Sequence, residues 1–170
     1  MSLWSRVVKF EKRSSKNVIV VEQQWLSYDS SLNRKVYSVC DAENFAPLYH
    51  YSSSSKTGVE AFDFRDGKIV GSDSVMNNTK KDFSIDQPNP TLNWELDLEI
   101  FPLLDLRTGK TFAINFYQPG YNNPPKEYMY RVVSEEKVSA GNNALIDCWI
   151  LKINYERNNY ALFWISKDKR

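Results

Sequence analysis

The sequence predicts a mainly β fold. It is expected to be a large curved antiparallel sheet, a half-barrel or open barrel of about ten or eleven strands. One short helix, about Trp94–Phe101, is expected to cross the concave face of that sheet. Three observations carry this reading. Runs rich in β-branched and aromatic residues recur along the whole chain, which suits half-buried pleated surfaces. Short polar or Gly-containing clusters separate them, Asp66-Gly67 being the strongest two-residue hairpin signal. One stretch, Trp94–Leu103, satisfies a helical spacing and meets a proline at Pro102.

Taken in order, Arg6–Glu11 and Val18–Tyr28 read as a hairpin around Ser14-Ser15-Lys16-Asn17. Asp29–Asn33 is a turn cluster, and Lys35–Cys40 is the third strand. Asp41–Pro47 breaks the pattern, with Asp41 placed to cap one helical turn before Pro47 resets the chain. Leu48–Ser53 and Val59–Phe64 flank a Ser-rich turn, and Lys68–Val75 returns from Asp66-Gly67. Asn77–Lys81 is a polar loop, Phe83–Ile85 a short strand, and Gln87–Thr91 carries two prolines that bar it from a central strand.

Trp94–Phe101 is ambiguous by periodicity. Trp94, Leu96, Leu98 and Ile100 alternate with acidic residues as a strand would, yet Trp94, Leu98 and Phe101 also fit the i, i+4, i+7 template. Leu, Glu and the lack of β-branched residues before Ile100 favour the helix. Beyond Thr108-Gly109, Thr111–Gln118 alternates strictly, and Pro119–Pro125 is an exposed loop. Glu127–Val133 is a strand, Glu135-Glu136-Lys137 precedes another strand edge, and Asn142-Asn143 turns into Ala144–Tyr155. That run is apolar on both faces, the mark of a strand covered on both sides. Arg157-Asn158-Asn159 turns, and Tyr160–Ser166 is the last strand. Its partner is expected past Arg170, and Met1-Ser2-Leu3 reads as a cloning remnant ahead of a mature start.

With 170 residues, no repeat and no low-complexity linker, residues 1–170 read as one domain. The net charge is +1, from 22 basic and 21 acidic residues, without the basic stripe of a nucleic-acid binder. No apolar run reaches the roughly 18 residues needed to span a bilayer as a helix. Cys40 and Cys148 lie in strand-like runs, outside any metal spacing. They suit buried core thiols; a disulfide would require their Cα atoms within about 7 Å.

Few residues offer catalysis. His50 is the only histidine, so a multi-His metal site is ruled out and a Ser–His–Asp relay would depend on it alone. Between Tyr49 and Tyr51 it reads as a hydrogen-bonded packing residue. Glu95, Asp97 and Glu99 resemble a carboxylate group, but on a helix they fan out into a solvated face whose position suits the helix dipole. Phosphate-binding glycine loops, a nucleophile elbow and a zincin motif are absent. No cofactor and no metal site is expected.

The aromatics carry more information. Trp25, Phe62, Phe112, Phe116, Tyr128, Tyr130, Trp149 and Trp164 fall on strands expected to neighbour one another. They either fill the core or line an apolar cavity under a helical lid formed by Trp94, Leu98 and Phe101. Tyr117, Tyr121 and the Pro119–Pro125 loop are placed for its rim.

The second half has a recognisable order: IFPLLDLRTGK, then TFAINFY, then the Tyr-x-Tyr-x-Val run EYMYRVV with its following EEK, then ALIDCWILKINY and ALFWISKD. It resembles a family of exported bacterial proteins of unknown function whose fold is similar to the periplasmic lipoprotein-carrier (LolA-like) half-barrel. The resemblance covers Trp94–Lys169 well and the first half loosely. Trp164–Asp168 fits that family's closing Trp-x-Ser-x-Asp turn, while the strand that follows it there has no counterpart here. The resemblance implies a periplasmic or outer-envelope location, a leader removed from this sequence, and a helix over Trp94–Phe101. It also implies a lipid or lipoprotein acyl chain under that helix, though no binding residue carries over by motif.

The expected function is therefore that of a non-enzymatic envelope protein, peripheral to the membrane at most, that binds a lipid or other hydrophobic ligand in the concave face. The alternative is an envelope structural or protein-interaction module with a filled core and no ligand. A carbohydrate-active domain ranks last.

Overall fold

A computed structural model describes residues 2–139, 141, 144–156 and 159–168. The sequence-predicted turns at Asn142-Asn143 and Arg157-Asn158 lie outside the described residues. Among those that are described, twelve strands and one short helix form, and the chain packs as two compact units. The first comprises Met1–Glu95 and Tyr117–Pro125, the second Leu96–Phe116 and Lys126–Arg170.

The first unit holds a seven-stranded antiparallel meander in chain order. Its strands are β1 (Ser2–Arg13), β2 (Lys16–Ser27), β3 (Arg34–Asp41), β4 (Pro47–Ser54), β5 (Gly58–Arg65), β6 (Lys68–Gly71) and β7 (Ser84–Asp86). A two-residue strand, β8 (Leu92–Asn93), follows. Asp66 and Gly67 both take positive φ, 54° and 68°, as a tight hairpin turn of primed type requires. Register sets the faces: Val21, Ser38, His50 and Phe62 stand in line across β2 to β5 on one face, and Val20, Val39 and Tyr49 stand in line on the other. Each face has its own core. Phe62, Phe64, Ile69 and Tyr117 pack with Phe83 and Ile85, while Val18, Val20 and Val39 pack with Tyr37, Leu48 and Tyr49.

Two local expectations need correction here. β1 is twice as long as its apolar stretch, because Ser2-Leu3 and Lys12-Arg13 pair with β2 through their backbones. The strand expected to run to Val75 stops at Gly71. A Cβ on Gly71 would fall inside the Lys80 carbonyl, so the loop 72–83 folds back against this point. Asp41 caps a single turn, as expected: its carboxylate accepts from the Glu43 amide at 2.8 Å and its carbonyl from the Phe45 amide at 3.0 Å.

In the second unit the strand order is β12-β11-β10-β9. The strands are β9 (Thr111–Tyr117), β10 (Lys126–Ser139), β11 (Leu145–Glu156) and β12 (Asn159–Ser166). β10 runs as one 14-residue strand through the polar Ser134–Lys137, with its register against β11 shifted between Val132 and Ser134. Such a bulge strengthens local twist, which accounts for the curled form of this sheet.

The predicted helix is present as three short pieces: a 3-10 turn at Trp94–Leu96, α1 (Asp97–Ile100) and a 3-10 turn at Phe101–Leu103. Pro102 does not stop the chain from turning; it sits in the first positions of the last turn, where a missing N–H costs nothing. Leu96, Ile100 and Phe101 are buried, and Leu98 is 41% exposed. No described helix is long and apolar enough to cross a membrane.

Candidate functional site

The eleven residues proposed from sequence to line a cavity divide into three environments. Phe101, Phe116 and Tyr130 are brought together in the second unit. The Phe101 ring lies 5.0 Å from Tyr130, 6.4 Å from Phe116 and 4.9 Å from Phe163, centroid to centroid. Phe101 and Tyr130 are fully buried, and mostly edge-on or tilted geometries interlock the four rings. Phe163, not singled out from sequence, completes the cluster. β12 alternates, so Phe163 and Ile165 share a face, and Trp164 points the other way at 47% exposure.

A second set sits at the margin of the same unit, each ring half-buried beneath a lysine. Lys110 lies 5.1 Å from the Phe112 ring, Lys126 4.9 Å from Tyr128 and Lys167 4.2 Å from Trp149. Trp164 donates its indole N–H to Glu136 at 2.9 Å. Leu98 is exposed.

The third set belongs to the first unit. Phe62 is buried in its core, Trp94 is half-buried, and Trp25 stacks with Trp4 at 6.3 Å. Trp25 also carries the Arg34 guanidinium 5.1 Å above its ring. Here one expectation fails: Glu95 is no solvated carboxylate. Its Oε1 accepts from Arg34 at 2.5 Å and its Oε2 from Gln23 at 3.0 Å. Its carbonyl accepts from Arg6 at 2.9 Å, and its amide donates to Asn93 Oδ1 at 3.0 Å. Every polar atom of Glu95 therefore has a partner, as a side chain only 13% exposed requires.

The same network runs inward to His50. Asn93 Nδ2 donates toward His50 Nδ1 at 3.3 Å and Ser38 Oγ at 3.4 Å, and Ser38 Oγ lies 2.9 Å from Nδ1. An amide nitrogen only donates, so Nδ1 accepts and the ring proton sits on Nε2. That N–H has no partner in the structure, and the ring is fully buried. Burial first, and the Arg34 charge second, push the His50 pKa down to about 3. The imidazole is neutral, shut away from solvent and packed within the sheet. Cys40 and Cys148 are both buried thiols, not joined in a disulfide. Among the described residues no three His, Cys, Asp or Glu side chains gather as a metal site would require.

Of the expected rim, Tyr117 is buried and donates its hydroxyl to the Tyr121 carbonyl at 2.9 Å, drawing the loop Gln118–Tyr121 onto the first unit. Burial raises the Tyr117 pKa, so this donor keeps its proton at any ordinary pH.

Sequence periodicity underrated β1. It pairs along its whole length with β2 and forms one edge of the meander. Trp4, Val8 and Phe10 lie on one face and Leu3 and Val7 on the other, all exposed, Phe10 by 78%. Loop 72–83 protects part of β5: Asn78 accepts from the amides of Ala61 and Lys80 and donates to the carbonyls of Ala61 and Ser72. Lys9 and Glu22 join β1 to β2 across one face at 2.7 Å.

No curated protein and no solved structure matches the chain. Residues 3–170 match a family described as a protein of unknown function, DUF3108. With almost its whole length covered, the chain belongs to the DUF3108 family.

Proposed function

We propose that this chain is a non-enzymatic protein-interaction module of the bacterial envelope, which takes up an extended segment of a partner chain along the edge of β1. The single observation that carries the reading is that edge. Twelve consecutive residues are paired on one side, and five large apolar side chains are exposed on them. Globular proteins usually blunt such an edge, because its free N–H and C=O groups template another strand. An added strand would gain main-chain hydrogen bonds, with the alternating side chains of β1 selecting its sequence. The envelope location rests on the resemblance of Trp94–Lys169 to exported half-barrel proteins. The lipid-carrier alternative asks for an apolar cavity under Trp94–Leu104. Phe101, interlocked with Phe116, Tyr130 and Phe163, favours a filled core there instead.

The test places a photo-crosslinking amino acid at Phe10 in cells of a bacterium that makes the protein, with the fully exposed Met76 as control position. A discrete adduct from Phe10, absent at Met76 and lost when Val8→Lys is added, is the expected result. Equal labelling at both positions, or none at Phe10, overturns it. Native mass spectrometry of the purified protein is expected to show the bare chain mass; a stoichiometric lipid adduct would restore the carrier reading.

A further inference from the structure

The first unit contains a cleft of about 320 Å³, lined by the β3, β4 and β5 ends on one side and by Gln118–Tyr121 on the other. Glu60, only 9% exposed, is among its lining residues. A carboxylate buried this far normally collects hydrogen-bond donors. Among the described residues none donates a hydrogen bond to Glu60; its ion-pair partner is Lys80, at 4.0 Å. The loop is shaped around it. Gly120, at φ 93°, brings its backbone so close that a Cβ there would lie 3.2 Å from Glu60 Oε2. The Tyr117 hydroxyl holds the loop in that position through the Tyr121 carbonyl. The cleft therefore presents an acceptor that the chain itself leaves short of donors.

The rest of the lining restricts what can supply them. Arg34 also faces the cleft, but Glu95 already holds its charge. Lys80 in turn stands beside Glu60 at 4.0 Å, so the charges around the cleft largely offset one another and single out neither a cation nor an anion. A neutral donor suits such a lining. Ser52, and the Ser54–Thr57 hydroxyl pair at 2.9 Å, can give or accept hydrogen bonds beside the carboxylate. Tyr121, 56% exposed, offers a ring at the mouth.

We propose that this cleft binds a neutral, hydroxyl-rich ligand, one pyranose unit of a saccharide, with Glu60 accepting from adjacent hydroxyls and Tyr121 against the ring's C–H face. The site is separate from the β1 edge and does not depend on partner docking there.

The experiment is an amide NMR titration of the full chain with glucose, galactose, N-acetylglucosamine and cellobiose, each taken to about 50 mM, which covers the weak affinities expected of a single sugar unit. Inorganic phosphate and 1,5-diaminopentane serve as charged comparisons. Saturable shifts confined to residues around Ser52, Glu60 and Gly120 with at least one sugar are expected. Glu60→Gln should weaken that sugar by about ten-fold or more, the loss of a charged acceptor. Tyr121→Ala, at an exposed position that leaves the fold intact, should weaken it several-fold, and Phe10→Lys should leave it unchanged. The proposal is overturned if no sugar moves these amides, if only phosphate or the diamine does, or if Glu60→Gln and Tyr121→Ala both bind as the parent does.

Discussion

The Arg34 guanidinium donates to the Glu95 carboxylate at 2.5 Å while lying 5.1 Å above the Trp25 ring. Sixty-one residues separate the two partners in sequence. Gln23 completes the carboxylate and accepts in turn from the Trp4 indole at 3.3 Å. Glu95→Ala strips Arg34 and Gln23 of their common acceptor and leaves Arg34 unpaired above an aromatic ring. The expected loss is about 2 kcal/mol, read by urea denaturation. In a double-mutant cycle with Arg34→Gln the two losses should fall short of adding, because both remove one interaction.

Phe101 is the anchor of the helical segment. Phe101→Ala removes a fully buried ring held by three others, and a loss of about 3–5 kcal/mol is expected in chemical denaturation. Leu98→Ala, on the exposed side of the same turn, should stay within about 0.5 kcal/mol. A lid poised over an open cavity would instead lose little from Phe101→Ala and gain a bound apolar probe more readily.

His50 makes stability depend on pH in a definite direction. Its folded pKa, about 3, lies below the ordinary 6.5, so the unfolded chain binds this proton first. The contribution is complete above pH 6.5 and is lost as pH falls from there toward 3. Between pH 6.5 and 5, before most carboxylates titrate, about 2 kcal/mol should disappear. Denaturation midpoints across that window measure it, and His50→Leu should flatten the slope. A slope unchanged by the substitution would show that another group carries it.

Asn78 stands in for a missing neighbour strand. Its amide meets Ala61 with both a donor and an acceptor, at 2.8 Å and 3.0 Å, and binds the Ser72 carbonyl and Lys80 amide besides. Asn78→Ala should destabilise by roughly 2–3 kcal/mol, since buried backbone groups lose their partners. Hydrogen exchange at the Ala61 amide should rise with it, while exchange in β2 is unaffected.

Much of this was legible beforehand. The alternation in Thr111–Tyr117 and the Asp66-Gly67 turn both follow from local chemistry, as does the helical spacing of Leu96, Ile100 and Phe101, and each appears where expected. What was not legible depends on distant partners. Nothing near Glu95 announces Arg34, so its carboxylate read as solvated. Ser134–Lys137 looked like a break because both faces of β10 are exposed there, and pairing with β11 alone keeps it a strand. Within β12 the large indole of Trp164 drew attention away from Phe163, although the adjacent Ile165 shares the inward parity. Glu60 sat unnoticed between Val59 and Ala61, since a single carboxylate in a strand carries no signal until a loop closes over it.

The two buried cysteines, one in each compact unit, have a practical meaning. Neither can be alkylated until its surroundings open, so a thiol reagent under native conditions times the opening of each unit separately. Cys40 clocks the meander and Cys148 the curled sheet, and the ratio of their labelling rates reveals whether the two open as one body or independently.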